Sequence, residues 1–228
     1  MGIIVNALTI IISGLLGSLL KEKVNLKNTI AFGISVLLIS AVGIIENVFS
    51  VSDKGLESNN IFIVVISLLV GCMIGDKLSI EERLSNLTRS GSFSLNAFID
   101  STLFFGIGGL QICGPIVMIL QNDSSQLYLK SIIDFPFALM FGAIYGKAVM
   151  LSAFPVAAVQ ALIAALAYLA GPFISDSMVS QLCTIGYVIL FFSGFNMLCE
   201  QKHKIKNVNM IPSVLIIILI NIAIDFWR

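Results

Sequence analysis

Long apolar runs separated by short polar clusters make up most of the chain, and their lengths carry the first inference. Runs at 2–20, 28–49, 60–77, 94–120, 180–199 and 210–227 each approach the ~20 residues that a helix needs to cross hydrocarbon. A further apolar block at 127–171 is too long for one crossing. At a rise of ~1.5 Å per residue it would extend to roughly twice the bilayer thickness. Gly146-Lys147 is the natural turning point, dividing the block into spans 127–146 and 148–170. The pattern predicts an all-α polytopic membrane protein with eight transmembrane helices.

Loop charges support that count. With eight spans, Lys21, Lys23, Lys27, Lys77, Arg83, Arg89, Lys147, Lys202, Lys204 and Lys206 share one side, leaving Lys54, Lys130 and Arg228 for the other. Basic loop residues gather on the cytoplasmic face, so both termini are expected outside. A single crossing of the long block would move the last basic cluster across and erase the bias. Between spans three and four, residues 79–93 (SIEERLSNLTRSGSF) read as a short cytoplasmic interfacial helix. Ser79 and Glu82 have capping-box spacing, and Ile80, Leu84 and Leu87 share a face. A structural strap is the expected role, with docking of a partner as the alternative.

Internal similarity adds organisation. Span two, FGISVLLISAVG, matches span seven, IGYVILFFSGFN, at Gly33/Gly186, Leu37/Leu190 and Ser40/Ser193. Span three aligns with span eight at Asn60/Asn209 and Asp76/Asp225; span one against span six offers only Ala7/Ala153. Two helices separate the copies, so the second enters the membrane inverted, an arrangement common among transporters. A single membrane domain, 1–228, is therefore expected. Its parts are a first repeat at 1–78, the strap at 79–93, central spans four and five at 94–147, and a second repeat at 148–228.

Composition agrees with the pattern. Hydrophobic residues make up 57% and charged residues 11%, against roughly 25% charged in a globular domain. A formal net charge of zero gives no reason to expect nucleic acid as a partner. The first run lacks a basic region before it, so it reads as a span rather than a cleaved signal. Cys72, Cys113, Cys183 and Cys199 lie in or at the ends of apolar segments without a CxxC pair, and His203 stands alone. They read as packing residues, and no metal or other cofactor is implied. HExxH, GxSxG and a recognisable protease aspartate pair are all missing, so catalysis is not expected.

The candidate chemistry lies in polar residues at membrane depth, where an ionisable group costs ~2.5–3.5 kcal/mol to insert. Asp134, two residues before Pro136 in KSIIDFPFALMFGAIYGK, is the leading candidate for binding a cation or carrying a proton. The proline deprives one carbonyl of its amide and softens the turn beside the acid. The competing reading ties Asp134 statically to a neighbouring helix through Asn6, Ser152 or Gln160. Span four carries FFGIGGLQICGP, whose glycines and proline loosen the helix around Gln111. That would offer carbonyls and an amide for coordination, or merely permit close helix packing. Asp100 and Lys147 lie near the same cytoplasmic end and form a candidate gate pair or a static lock.

The segments GIIVNALTIIISGLLGSLL, GCMIGDKLSIEERL, LYLKSIIDF and LSAFPVAAVQ together resemble the YdfK/YqgA-like family of bacterial integral membrane proteins. The resemblance runs along nearly the whole chain. Its matching polar positions are Asn6, Asp76, Lys130, Ser131, Asp134, Pro155 and Gln160, while Pro136 stands where relatives need not have proline. It implies a multi-pass protein of the bacterial cytoplasmic membrane and supplies no activity. The function expected from the residues is that of a small transporter or channel for a cation or small polar solute, with proton or sodium coupling as one option. Asp134, Gln111, Asp100, Asn6 and Gln160 are its site candidates. The alternative is a non-catalytic scaffold or sensor subunit working through a partner protein. The expected surroundings are the lipid bilayer and the transported ion or solute. A homodimer is a further expectation, since the small-residue face of AVQALIAALAYLAG permits close packing.

Overall fold

In hydrocarbon an unpaired amide costs several kcal/mol, and a helix is the segment that closes its backbone bonds internally. The apolar runs accordingly form helices. The computed structural model describes residues 1–20, 29–52, 55–58, 61–87, 93–106, 109–199 and 203–227. Lys21, Lys23, Lys27, Lys54, Asn60, Arg89, Lys202 and Arg228, together with the side chain of Asp225, lie outside the described residues.

In chain order the helices are α1 (Gly2–Leu19), α2 (Thr29–Val48), α3 (Ile61–Leu78), α4 (Ile80–Leu87), α5 (Phe93–Gly106), α6 (Gly109–Leu120), α7 (Ser125–Tyr145), α8 (Ala153–Ala170), α9 (Asp176–Leu198) and α10 (Pro212–Trp227). A short antiparallel hairpin, β1 (Phe49–Ser52) and β2 (Gly55–Ser58), follows α2, with Phe49 paired to Ser58. That loop held no strand signal of useful length. Among the described residues, six stretches are long and apolar enough to cross a membrane: Gly2–Leu19, Ile30–Val48, Ile61–Leu78, Ser125–Phe173, Asp176–Leu198 and Asn207–Ile224. A seventh is the bent pair Ser94–Gly106 and Gly109–Leu120, whose halves meet at 54°.

The chain divides into two units, each assembled from segments far apart in sequence. The first comprises Met1–Asn28 and Leu84–Gly171. Here α1 lies against α7 at near-backbone distance. A Cβ on Gly17 would overlap the Leu139 carbonyl, and one on Gly142 would overlap the Gly14 carbonyl. Because Gly2 meets Leu127 and Gly14 meets Gly142, α1 and α7 run parallel. Asn6 bonds Gln160 while Gly14 meets Met150, so α1 and α8 run antiparallel. The 49-residue run Ser125–Phe173 therefore reverses direction within itself. The reversal occupies a 3-10 turn, Gly146–Ser152, that opens on Gly146 at φ 77° and ψ −156°, a region open essentially to glycine alone.

The second unit comprises Thr29–Arg83 and Pro172–Arg228. Helix α9 is its core: two-thirds of its membrane-length window is buried, against 22% for α2, α3 and α10. Helix α2 runs antiparallel to it, Gly33 facing Gly194 and Gly43 facing the Tyr187 ring. Helix α3 presents Val64, Ser67, Gly71 and Gly75 as its buried stripe; Gly71 meets Ser213 of α10, and Gly75 meets Asn209 in the 3-10 turn Asn207–Met210 just before it. Small residues let the backbones approach closely, the usual means of helix association without a hydrophobic drive.

Of the strap expected at 79–93, the described part is α4, Ile80–Leu87, and residues 88–92 lie outside the described residues. Ser79 sits at φ 47° and its Oγ turns back to the Asp76 carbonyl, while Glu82 pairs with Lys206. A second latch joins the same elements: Asn209 Nδ2 donates to Asp76 Oδ1 at 2.7 Å, and Glu81 N–H donates to Asn209 Oδ1 at 2.9 Å. Burial pushes the Glu81 carboxyl up, and the Lys206 ammonium holds Glu82 down.

Candidate functional site

A row of polar side chains lies inside the first unit, built residue by residue from four helices. Helix α7 supplies Lys130 and Asp134, one turn apart, so their side chains lie on one face. Lys130 Nζ meets Asp134 Oδ2 at 2.8 Å, and their side chains are 4% and 7% exposed. Helix α1 supplies Asn6, whose Nδ2 donates to the same carboxylate oxygen at 2.8 Å. Helix α8 supplies Gln160, whose Nε2 donates both to Asn6 Oδ1 at 3.0 Å and to Gln111 Oε1 at 2.9 Å. Helix α6 supplies Gln111, which donates onward to the Val156 carbonyl at 2.9 Å. Asn6, Gln111 and Gln160 are fully buried.

The bend between α5 and α6 contributes directly. Lys130 Nζ also donates to the carbonyl of Phe105 at 2.9 Å. Phe105 is the penultimate residue of α5, in the last turn, where helical carbonyls lack an intrahelical amide. That end of the helix carries the negative pole of its dipole. The ammonium is therefore held between a carboxylate and a helix C-terminus, both negative. Phe104, Phe105, Phe137, Phe141 and Tyr145, on α5 and α7, form a cluster of edge-to-face and tilted ring contacts with neighbouring centroids 4.9–5.9 Å apart. An apolar wall of this kind keeps the local dielectric low and strengthens each polar contact.

Two features stand out in the hydrogen-bond accounting. Both bonds to Asp134 fall on Oδ2. Gln160 Oε1 is buried without a hydrogen-bond partner among the described residues. A buried acceptor left unmet costs ~1–3 kcal/mol.

The structure thus brings together Asp134, Asn6, Gln160 and Gln111. Asp100, half-buried on α5, takes no part in the hydrogen bonds that join them, and Lys147 is exposed in the turn after α7. Gln111 sits in the first turn of α6, not in loosened chain; the interruption of the long run falls between Gly106 and Gly109. Pro136 is accommodated inside α7. Lys130 is the residue that sequence reasoning misplaced. Counted among loop charges, it lies in the second turn of α7 and is 3% exposed. Its signal was the Lys-x-x-x-Asp spacing in KSIID, which puts opposite charges on one helical face.

Comparison with known proteins adds a family and no activity. The chain is 27% identical over 244 residues to "Uncharacterized protein YqgA" of Escherichia coli (strain K12), with 99% of this chain and 98% of that protein covered. It is 23% identical over 223 residues to "Uncharacterized membrane protein YdfK" of Bacillus subtilis (strain 168), covering 94% and 93%. No solved structure matches it. A family model described as "Protein of unknown function (DUF554)" matches residues 1–222, so this chain of membrane-length apolar helices belongs to the DUF554 family.

Proposed function

We propose that the protein is a small transporter of a cation or small polar solute in the bacterial cytoplasmic membrane, with Asp134 at its binding centre. The observation that carries the reading is the buried Lys130–Asp134 pair, joined to a carbonyl of the last turn of α5 where a membrane-length run is bent. Interrupted helices that aim their C-terminal carbonyls at a cation recur in secondary transporters. Ionisable groups at membrane depth are generally retained for a pathway or a partner.

On this reading the chain crosses eight times with both termini outside, the reversal at Gly146 dividing the longest run. It forms one membrane domain, in which the antiparallel pairing of α2 with α9 and of α3 with α10 is what an inverted repeat would produce. Asp100 and Lys147 retain their role as a cytoplasmic gate pair, and two protomers associate through the small-residue face of α8. No catalytic step and no cofactor is assigned. The alternative, a scaffold or sensor acting through a partner protein, would use α4 and the loop around Lys204 as its surface. Glu82 and Lys206, which that surface would offer, are engaged with each other.

Flux into proteoliposomes across a panel of monovalent cations, protons and small polar solutes tests the proposal. Saturable flux that needs Asp134 supports it. Absence of any flux, with a stoichiometric partner recovered from the native membrane, favours the scaffold.

A further inference from the structure

Lys130 raises a question that the transport reading leaves open: what a buried ammonium is doing in the binding centre. Its Nζ is liganded by Asp134 Oδ2 at 2.8 Å and the Phe105 carbonyl at 2.9 Å. These are oxygen ligands, one anionic and one at the negative end of a helix, the donor set that a hard monovalent cation takes. The neighbouring amides are fixed in advance. Gln160 is held through Nε2 by Asn6 and Gln111, leaving Oε1 oriented and unmet among the described residues.

We infer that the position of the Lys130 ammonium is itself the site of a transported monovalent cation, and that Lys130 is a tethered competitor for it. The inference rests on the transport reading and narrows its substrate to that class. Charge balance makes the selection. With lysine in place, the carboxylate is neutralised one for one. An incoming monovalent cation that displaces the ammonium preserves that balance at Asp134, whereas a divalent ion would leave an unpaired positive charge among buried apolar side chains, at a cost of several kcal/mol. An anion would meet the Asp134 carboxylate. Lys130 has a four-carbon stem on α7, so its head can withdraw along the helix without moving the backbone. Arrival of the cation and departure of the ammonium are then one exchange, and an empty carrier closes its own site.

Thermal unfolding of the full-length protein in choline chloride, with sodium, potassium or ammonium chloride substituted at constant ionic strength, tests this. Lys130→Ala should be stabilised by at least one of the three ions. Half-saturation should fall about tenfold or more below the wild-type value, because the competitor has gone. Lys130→Ala/Asp134→Asn should show no such stabilisation. No cation-specific stabilisation of Lys130→Ala, or stabilisation that survives in the double variant, overturns the inference. If Lys130→Ala does not fold, the wild type carries the test through modification of Asp134 by dicyclohexylcarbodiimide, read by mass spectrometry of its peptide. At least one of the three cations should slow the reaction relative to choline; equal rates in all four salts overturn the inference. Flux separates the two claims. Cation binding without flux keeps the site and removes transport, and flux independent of Lys130 and Asp134 keeps transport and removes the site.

Discussion

Neutralising Asp134 alone should destabilise the protein as well as silence it, and this decides how transport experiments must be designed. Asp134→Asn leaves the Lys130 ammonium buried, 3% exposed, with the neutral Phe105 carbonyl as a partner. Removing one partner of a buried ion pair costs ~3–5 kcal/mol, since the remaining charge loses its compensation in a low-dielectric site. Lys130→Met strands the carboxylate and should cost a similar amount. The double variant Lys130→Met/Asp134→Asn strands neither, and its new amide oxygen still accepts from Asn6 Nδ2. It should lie within ~1–2 kcal/mol of wild type, in line with the near-neutral exchange of buried pairs for uncharged residues. The non-additivity is then at least ~3 kcal/mol, well beyond the ~0.5 kcal/mol seen for independent sites. Thermal unfolding in detergent, followed by helical circular dichroism, should show each single variant lowered by roughly 6–20 °C and the double restored. Singles indistinguishable from wild type, or a double as damaged as their sum, would refute the electrostatic account of the cluster. Flux lost in Asp134→Asn is consequently diagnostic only beside a folded double variant.

Other substitutions test separate parts of the structure. Gly17→Val places side-chain carbon against the Leu139 carbonyl, and should separate α1 from α7 at ~1–3 kcal/mol or more, read as a lowered unfolding temperature. Gln111→Leu removes the acceptor of one Gln160 bond and should cost ~1–3 kcal/mol, with Gln160→Leu in the same background adding less than it does alone. At the α4 latch, Lys206 depresses the Glu82 pKa, so the pair's contribution is present above the ordinary glutamate range and lost as pH falls through the depressed value. Glu81 has the opposite sign: burial raises its pKa, so its ionisation weakens the fold as pH rises through the raised value. Glu82→Gln should therefore remove the acid-side loosening of α4, measured by amide exchange across residues 80–87, and leave the effect of Glu81 in place.

Much of this architecture could be read from the chain because hydrocarbon restricts the choices. Helix positions followed from run length, and the reversal near Gly146 followed from the excess length of the 127–171 block. Asp134, Asn6, Gln160 and Gln111 were legible as candidates because buried polar side chains are rare in such a sequence. Lys130 was misread because loop-charge counting treats each lysine near a helix end as exposed, whereas local spacing binds it to Asp134 inside the helix. The hairpin after α2 and the distorted Ser79 start of α4 depend on short-range backbone geometry that hydropathy does not encode. Neither could the division into interleaved units be foreseen, since it depends on which small-residue faces meet, and glycines occur in nearly every span.

The interleaving has a consequence for how the protein is made. Asn6 and Asp134 are 128 residues apart in sequence, a separation that takes about 6–25 s to synthesise at ~5–20 residues per second. During that interval α1 carries a buried-type asparagine and an uncovered glycine face with no α7 to receive them. Lys130 and Asp134, by contrast, find each other within one helical turn, so α7 can enter the bilayer with its charges already neutralised. Assembly of the centre is thus a timed encounter: a self-contained ion pair arrives late and captures a waiting helix. Any factor that shelters α1 meanwhile acts on the yield of the protein, not on its final form.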